Sequence, residues 1–337
     1  VNWFENLMGF SETTYPETKA RLEVREGRLI SRANARSWAI GEFEMVSLAD
    51  LRKRAALSKR HGGHPKVSVV QGDVRRLHAQ PEYAGALFQV ASQFNALEMT
   101  GPNVTPEDGV TRYIHDHTQG PTCALAAAPA TIYRNYCVPF DGAFGQTRTR
   151  QLDGLAGVGS ALSQALQRPV ADLWTMSNGY ALCSASGLAA ISQWLAKADV
   201  DTVQAIRGRL AIGLHRGIEV TIPGASPDVR VSQAFCSALP VAYSSVPAKA
   251  WSAFATLVLE AAYEATFLAA SIEAANGGSN IVLLTLLGGG AFGNERAWII
   301  GAIKRALEAV GDCDLDIRIV SYSAPDADLL GLEANAS

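Results

Sequence analysis

The stretch Asn280-Ile-Val-Leu-Leu-Thr-Leu-Leu287 is an apolar run of strand length, and it gives way to Gly288-Gly289-Gly290-Ala291-Phe292-Gly293-Asn294. Residues 295–310 then place Ile299, Ile303, Ala306, Leu307 and Val310 on one face at helical spacing. The three pieces predict a buried strand, a tight turn and an amphipathic helix. Such a turn leaves backbone N–H groups and the positive end of the helix free to hold a diphosphate, and glycine permits a close approach that a Cβ would block. A tight turn with no ligand is the competing reading. Gly288-x-Gly290-x-x-Gly293 also fits the dinucleotide fingerprint. A hydride-transferring enzyme, however, needs the turn to open a βαβ unit, with further strands for the nicotinamide half. Only residues 316–322 read as a strand after this turn, and the ring of Phe292 points to a stacking surface.

Outward from the turn, β-branched and apolar runs predict strands at 66–70, 86–91, 131–138, 209–214, 217–222 and 231–239. Helical spacing predicts helices near 150–166, 185–197, 247–275 and 294–310. Several strands are apolar on both faces, the pattern of a sheet covered by helices on each side, so the expected fold class is α/β. Residues 1–60, rich in charge, read as an N-terminal appendage packed on the core, with a hairpin at 22–30 and a helix at 47–58. Residues 61–325 form the ligand-binding domain, and 326–337 a flexible tail.

With 337 residues and 48% hydrophobic content, the chain can bury a large core. A net charge of -3 and a charged fraction of 18% give no broad basic field, so nucleic acid is not an expected partner. Cys123, Cys137, Cys183, Cys236 and Cys313 are widely spaced with no C-x-x-C pair. They read as core residues in a reducing compartment rather than zinc or redox groups. No uninterrupted apolar run reaches the roughly 18 to 20 residues of a membrane span, and no membrane partner is expected.

The strand at 66–70 ends in Gln71-Gly72-Asp73-Val74, and the next ends in Ala91-Ser92-Gln93-Phe94-Asn95. Together with the late glycine turn, these motifs occur in the order found in the macrodomain family, which the chain resembles over roughly residues 66–140 and 280–322. The resemblance implies a macrodomain-like three-layer α/β/α fold with a mixed sheet and an N-terminal extension, and ADP-ribose as ligand. It implies that Asp73, beside Val74, receives the adenine amino group and that Asn95 faces the distal ribose. The turn from Gly288 to Asn294 would be the late phosphate loop, with Phe292 packing on that ribose. The sequence departs from the family after Asn95, where Ala96-Leu-Glu-Met replaces a run of glycines. Asp116-His-Thr-Gln-Gly-Pro121 is the best substitute for the first phosphate loop. Its Gln119 and Gly120 lead into Pro121 and a small-residue stretch suited to start a helix with free N–H groups.

The chain is further similar to a divergent macrodomain group that includes poly(ADP-ribose) glycohydrolase and bacterial effectors that strip ADP-ribose from ubiquitin arginine. This implies an ADP-ribosyl hydrolase acting on an ADP-ribosylated protein, with ubiquitin as one carrier, and no cofactor. It also implies a cytoplasmic location, or the host cytosol for a secreted effector.

Cleavage at the distal ribose passes through an oxocarbenium-like state, which carboxylates stabilise and one carboxylate assists by activating water. Glu98, Asp108 and Asp116, all in the long polar stretch 92–120, are the candidate catalytic residues. Each has a plainer reading. Asp108 precedes Gly109 as turn aspartates do, and Asp116 is placed to cap the next segment. His115 and His117 flank Asp116 at period two, but no third ligand is evident nearby and no metal is expected. Arg134, in an apolar segment, needs a partner that the acidic cluster is placed to supply. The alternative to the hydrolase is a module that holds ADP-ribose without cutting it; an NAD-dependent enzyme is a third possibility.

Overall fold

A computed structural model describes residues 2–58, 62–226, 228–322 and 327–335. The expected domain boundaries, at 60/61 and 325/326, lie outside the described residues.

The core is a seven-stranded mixed sheet of β1 (Glu42–Ser47), β2 (Lys66–Gln71), β3 (Leu87–Ala91), β4 (Ala211–Glu219), β5 (Arg230–Cys236), β6 (Ile281–Leu284) and β7 (Asp316–Ser321). Their spatial order is β1-β4-β5-β3-β6-β7-β2. β4 runs antiparallel to both neighbours, and the pairs from β5 through β2 are parallel. Strands between parallel neighbours are covered on both faces, which explains the unbroken apolar runs in the sequence.

One face carries the long helix α7 (Ala248–Ala275), which packs on α1 (Leu48–Leu57), α5 (Ala185–Leu195), α6 (Val200–Gly208) and α8 (Arg296–Val310), with α4 (Ala156–Leu166) against α5 and α6. The other carries α2 (Gln119–Ala126) and α3 (Ala128–Tyr136). There Phe88, Val90, Phe235 and Leu283 of the sheet meet Cys123, Ala126 and Ala130. The result is the α/β/α arrangement with a mixed sheet that the sequence led us to expect. By length and composition α7 would cross a bilayer, yet 83% of its apolar window is buried inside the fold, as befits a core helix.

Four local readings are corrected. Residues 131–138 are not a strand: α3, which begins at Ala128 with Pro129 in its first turn, takes them as far as Tyr136. Pro tolerates that position because its missing N–H has no intrahelical partner to lose. The segments 209–214 and 217–222 are one strand, β4, with an irregularity between His215 and Ile218. The sheet also takes an edge strand, β1, from the first 60 residues, and its Val46 is part of the main core. Finally, the expected tail contains a helix, Ala327–Asn335, whose Leu329 and Leu332, one turn apart, pack in that core.

The rest of the N-terminal region forms a three-stranded sheet (Leu22–Arg25, Arg28–Ser31, Ser37–Ala39) and two short helices. Phe4, Met8, Leu29 and Trp38 share a cluster with Leu97, Met99, Tyr113 and Tyr136. The extension therefore packs directly on the long polar stretch 92–120. Among the described residues the cysteines form no disulfide, and all but the half-buried Cys137 are buried.

Candidate functional site

β3 and β6 pair only at Leu87 with Val282 and Phe88 with Leu283, whereas β3 pairs with β5 as far as Ala91. Beyond Phe88 the central strands part at their C-terminal ends, the usual place for a ligand crevice in an open α/β sheet. The crevice has two lobes. A larger cavity of about 640 Å³ is lined by Asp73, Val74, Ile114, Thr122, Val320 and Tyr322, among others. A smaller one of about 170 Å³ includes Gln93, Met99, Gly120, Tyr180, Tyr243 and Phe292 in its wall. Asp116, Gln119, Thr285 and Leu286 belong to both, so the lobes form one cleft.

The glycine turn forms one wall. Gly288 has φ +74°, and a Cβ there would lie 2.4 Å from that of Ala238; Gly293, at φ +69°, packs on Ala242. These two glycines shape the turn. Asn294 closes it, its backbone N–H donating to the carbonyl of Gly288 at 2.9 Å and its Nδ2 to the carbonyl of Leu239 at 2.8 Å. Gly290 differs, because a Cβ on it would meet nothing within 4 Å. Gly288, Gly290, Ala291 and Phe292 face the smaller lobe, while Gly289 lies against Ile299. Among the described residues, no protein acceptor engages the N–H groups of Gly290, Ala291 and Phe292.

Opposite stands the start of α2. Thr118 makes no side-chain cap to it, and the N–H groups of Gln119 and Gly120 have no protein acceptor among the described residues. Two sets of free donors therefore border one cleft, a pattern suited to a diphosphate. Gly120 has no room for a side chain: a Cβ would sit 1.9 Å from the carbonyl oxygen of Ala91. Phe292 contacts Tyr180 and Tyr243, with ring centroids 5.2 and 5.6 Å away. Neither tyrosine was singled out by the sequence, since Tyr180 lies on a remote hairpin (Trp174–Ser177 with Tyr180–Cys183).

The three expected catalytic carboxylates separate. Asp116 lines both lobes, and its Oδ1 accepts from the N–H and hydroxyl of Thr118 at 2.9 and 2.6 Å. Asp108 is exposed and lines neither; its Oδ2 accepts the N–H and hydroxyl of Thr105 in a capping box, and these bonds hold its carboxyl below the usual range. Glu98 is buried beneath α2, its Cγ 3.2 Å from where a Gly120 Cβ would stand. Arg134 is its partner at 3.7 Å, both side chains being wholly buried. Burial pushes the Glu98 carboxyl up to about 8, with Arg134 opposing, and neither oxygen has a hydrogen-bond partner. Arg134 also donates to the carbonyl of Ala96, bonds His215 and stacks over Phe235. This network braces the turn after β3, where Ala96 holds φ +57°.

Asp73 lines the larger lobe while its Oδ1 caps a one-turn helix through the N–H of Arg75. Asn95 does not reach the cleft wall: it accepts from Leu97 and donates to Gln151, under the hairpin turn at Gly179. Gln93 lines the smaller lobe instead. His115 and His117 sit with Arg112 around an open recess next to Asp116.

No family model matches the chain, and no curated protein matches it. Among solved structures, poly(ADP-ribose) glycohydrolase from Deinococcus radiodurans in complex with ADP-ribose is similar at 12% identity. The match covers 87% of this chain and 93% of that one, with a TM-score of 0.45. Poly(ADP-ribose) glycohydrolase from Thermomonospora curvata is similar at 13% identity over 96% of this chain and 97% of that one, with a TM-score of 0.43. Likenesses this distant carry nothing about ligand or reaction, and the site stands on its own geometry.

Proposed function

We propose that the protein is an ADP-ribosyl hydrolase that binds ADP-ribose on a modified protein and cleaves the glycosidic bond at the distal ribose. The observation that carries this reading is the meeting of two unbonded donor sets across one cleft, Gly290 to Phe292 on one side and Gln119 and Gly120 on the other. A diphosphate bridging them directs adenine into the lobe of Asp73, Val74 and Tyr322, and the distal ribose toward Phe292, Tyr180 and Tyr243. Asp116, at the junction, is the acidic group for catalysis.

As the bond from the ribose to the carrier breaks, positive charge develops on the ribose, and the Asp116 carboxylate stabilises it. Water attacks the same carbon, its hydroxyl staying on the ribose and its proton passing to that carboxylate; the carrier side chain leaves with the bonding pair and takes up that proton, which returns Asp116 to its ionised form. Ubiquitin modified on arginine is the first carrier to try, on the strength of the family resemblance. The test is release of ADP-ribose from that carrier by the wild type and by Asp116→Ala. Release that is lost in a variant still able to bind supports the hydrolase, and undiminished release refutes the role of Asp116.

A non-catalytic reader is the second reading. It draws support from Glu98 being sealed under α2 and Asp108 being engaged by Thr105, which leaves Asp73 and Asp116 as the carboxylates of the cleft wall among the described residues. Binding without release by the wild type would favour it.

A further inference from the structure

We propose that Gln119 is a positioning residue: its side-chain amide occupies the place of a strand residue beside β3 and so sets the opening of the cleft. In a parallel ladder one residue donates its N–H to the carbonyl before its neighbour and accepts the N–H after it. Gln119 does both with a side chain. Its Nε2 donates to the carbonyl of Gln89 at 2.8 Å, and its Oε1 accepts the N–H of Ala91 at 2.8 Å. The residue so flanked is Val90. By the register of Leu87 with Val282 and Phe88 with Leu283, the ladder place opposite Val90 belongs to Thr285.

Thr285 is turned away to the cleft wall, and its carbonyl is held from the other side. Tyr263 of α7 donates its hydroxyl to that carbonyl at 2.7 Å and accepts the N–H of Leu287 at 2.9 Å. Gln119 thus satisfies the Gln89 carbonyl and the Ala91 N–H on β3, and Tyr263 the Thr285 carbonyl and the Leu287 N–H beyond β6, at a place where unpaired buried groups would be costly. Gln119 is also the first residue of α2. The same amide therefore fixes the distance from the donors of α2 to the glycine turn that follows β6. Its task is to hold the two walls apart at diphosphate width, not to touch the ligand through its side chain.

The ligand arm of the test rests on the proposed ADP-ribose site; the exchange arm does not. Hydrogen exchange at the Ala91 amide is measured on the unliganded full chain, and calorimetry compares ADP-ribose with AMP, which needs only the Asp73 lobe. Gln119→Ala removes both bonds, so Ala91 exchanges faster. ADP-ribose affinity falls about tenfold, while AMP affinity changes by less than about twofold. Gln119→Glu keeps the acceptor and loses the donor, so Ala91 stays protected while ADP-ribose affinity still falls. Unchanged exchange in Gln119→Ala, or equal weakening of both ligands, would overturn the proposal. Faster exchange in that variant from a wild type that binds no ADP-ribose would uphold the ladder role and refute the ligand reading.

Discussion

Asp116 accepts two hydrogen bonds from Thr118 through a single oxygen, Oδ1, and the residue lines the wall common to both lobes. A carboxylate fixed through one oxygen is oriented with the other available to a reacting group. Asp116→Ala should lower kcat by roughly 10² to 10⁴-fold, the span of general acid–base assistance, with little change in ADP-ribose affinity. Asp108→Ala serves as the contrast: it loses its cap and about 1 kcal/mol of stability, with turnover unchanged. Steady-state kinetics and thermal melts on the two variants check both statements.

The N-terminal extension reaches the same segment. Glu12 accepts the N–H groups of Val110 and Thr111 and the hydroxyl of Tyr136, while Trp3 donates to the carbonyl of Thr111. These contacts hold the 3₁₀ turn Thr111–His115, which ends at Asp116. Glu12→Ala should destabilise the fold by about 2 kcal/mol and speed proteolysis within residues 100–118, read by denaturant melts and limited digestion.

Gly120 is confined by the Ala91 carbonyl on one side and Glu98 on the other. Gly120→Ala must push α2 away from β3, at a cost of about 1–3 kcal/mol. Binding of ADP-ribose is lost with it, because the donors of α2 move. A melt and a titration on the same sample test this, and an unshifted Tm would contradict it.

How far the site was legible depended on whether its parts were local. The strand, glycine turn and helix through residues 281–310 were readable because apolar period and glycine positions agree within one segment. The segment 131–138 was misread because Thr131, Ile132 and Tyr133 favour strands by propensity. Tertiary packing of Ile132 and Tyr136, a helical turn apart, decided otherwise, and Pro129 was the signal available. The need of Arg134 for an acidic partner was legible, and Glu98 is that partner. What a single chain cannot show is pairing across distance. The ladder role of Gln119, the matching role of Tyr263 and the arrival of Tyr180 beside Phe292 join residues about 30, 22 and 110 positions apart along the sequence, with no local pattern to mark them.

Glu98 supplies a pH signature. Its carboxyl rises from 4.5 to about 8 in the folded protein, chiefly by burial. The folded state then binds more protons than the unfolded state between these values, so this residue's contribution is full below about 4.5 and is lost as pH rises toward 8. Glu98→Gln removes the titration. Melts at pH 6 and pH 8.5 should show a smaller fall in Tm for the variant than for the wild type; an equal or larger fall would contradict the assignment.

The most direct measurement is calorimetric titration of the intact chain with ADP-ribose, beside NAD and ATP, repeated on Phe292→Ala. ADP-ribose is expected to bind one to one and more tightly than either nucleotide, with about tenfold weaker binding once the ring beside Tyr180 is removed. An absence of binding by ADP-ribose to the wild type would contradict both the hydrolase and the reader.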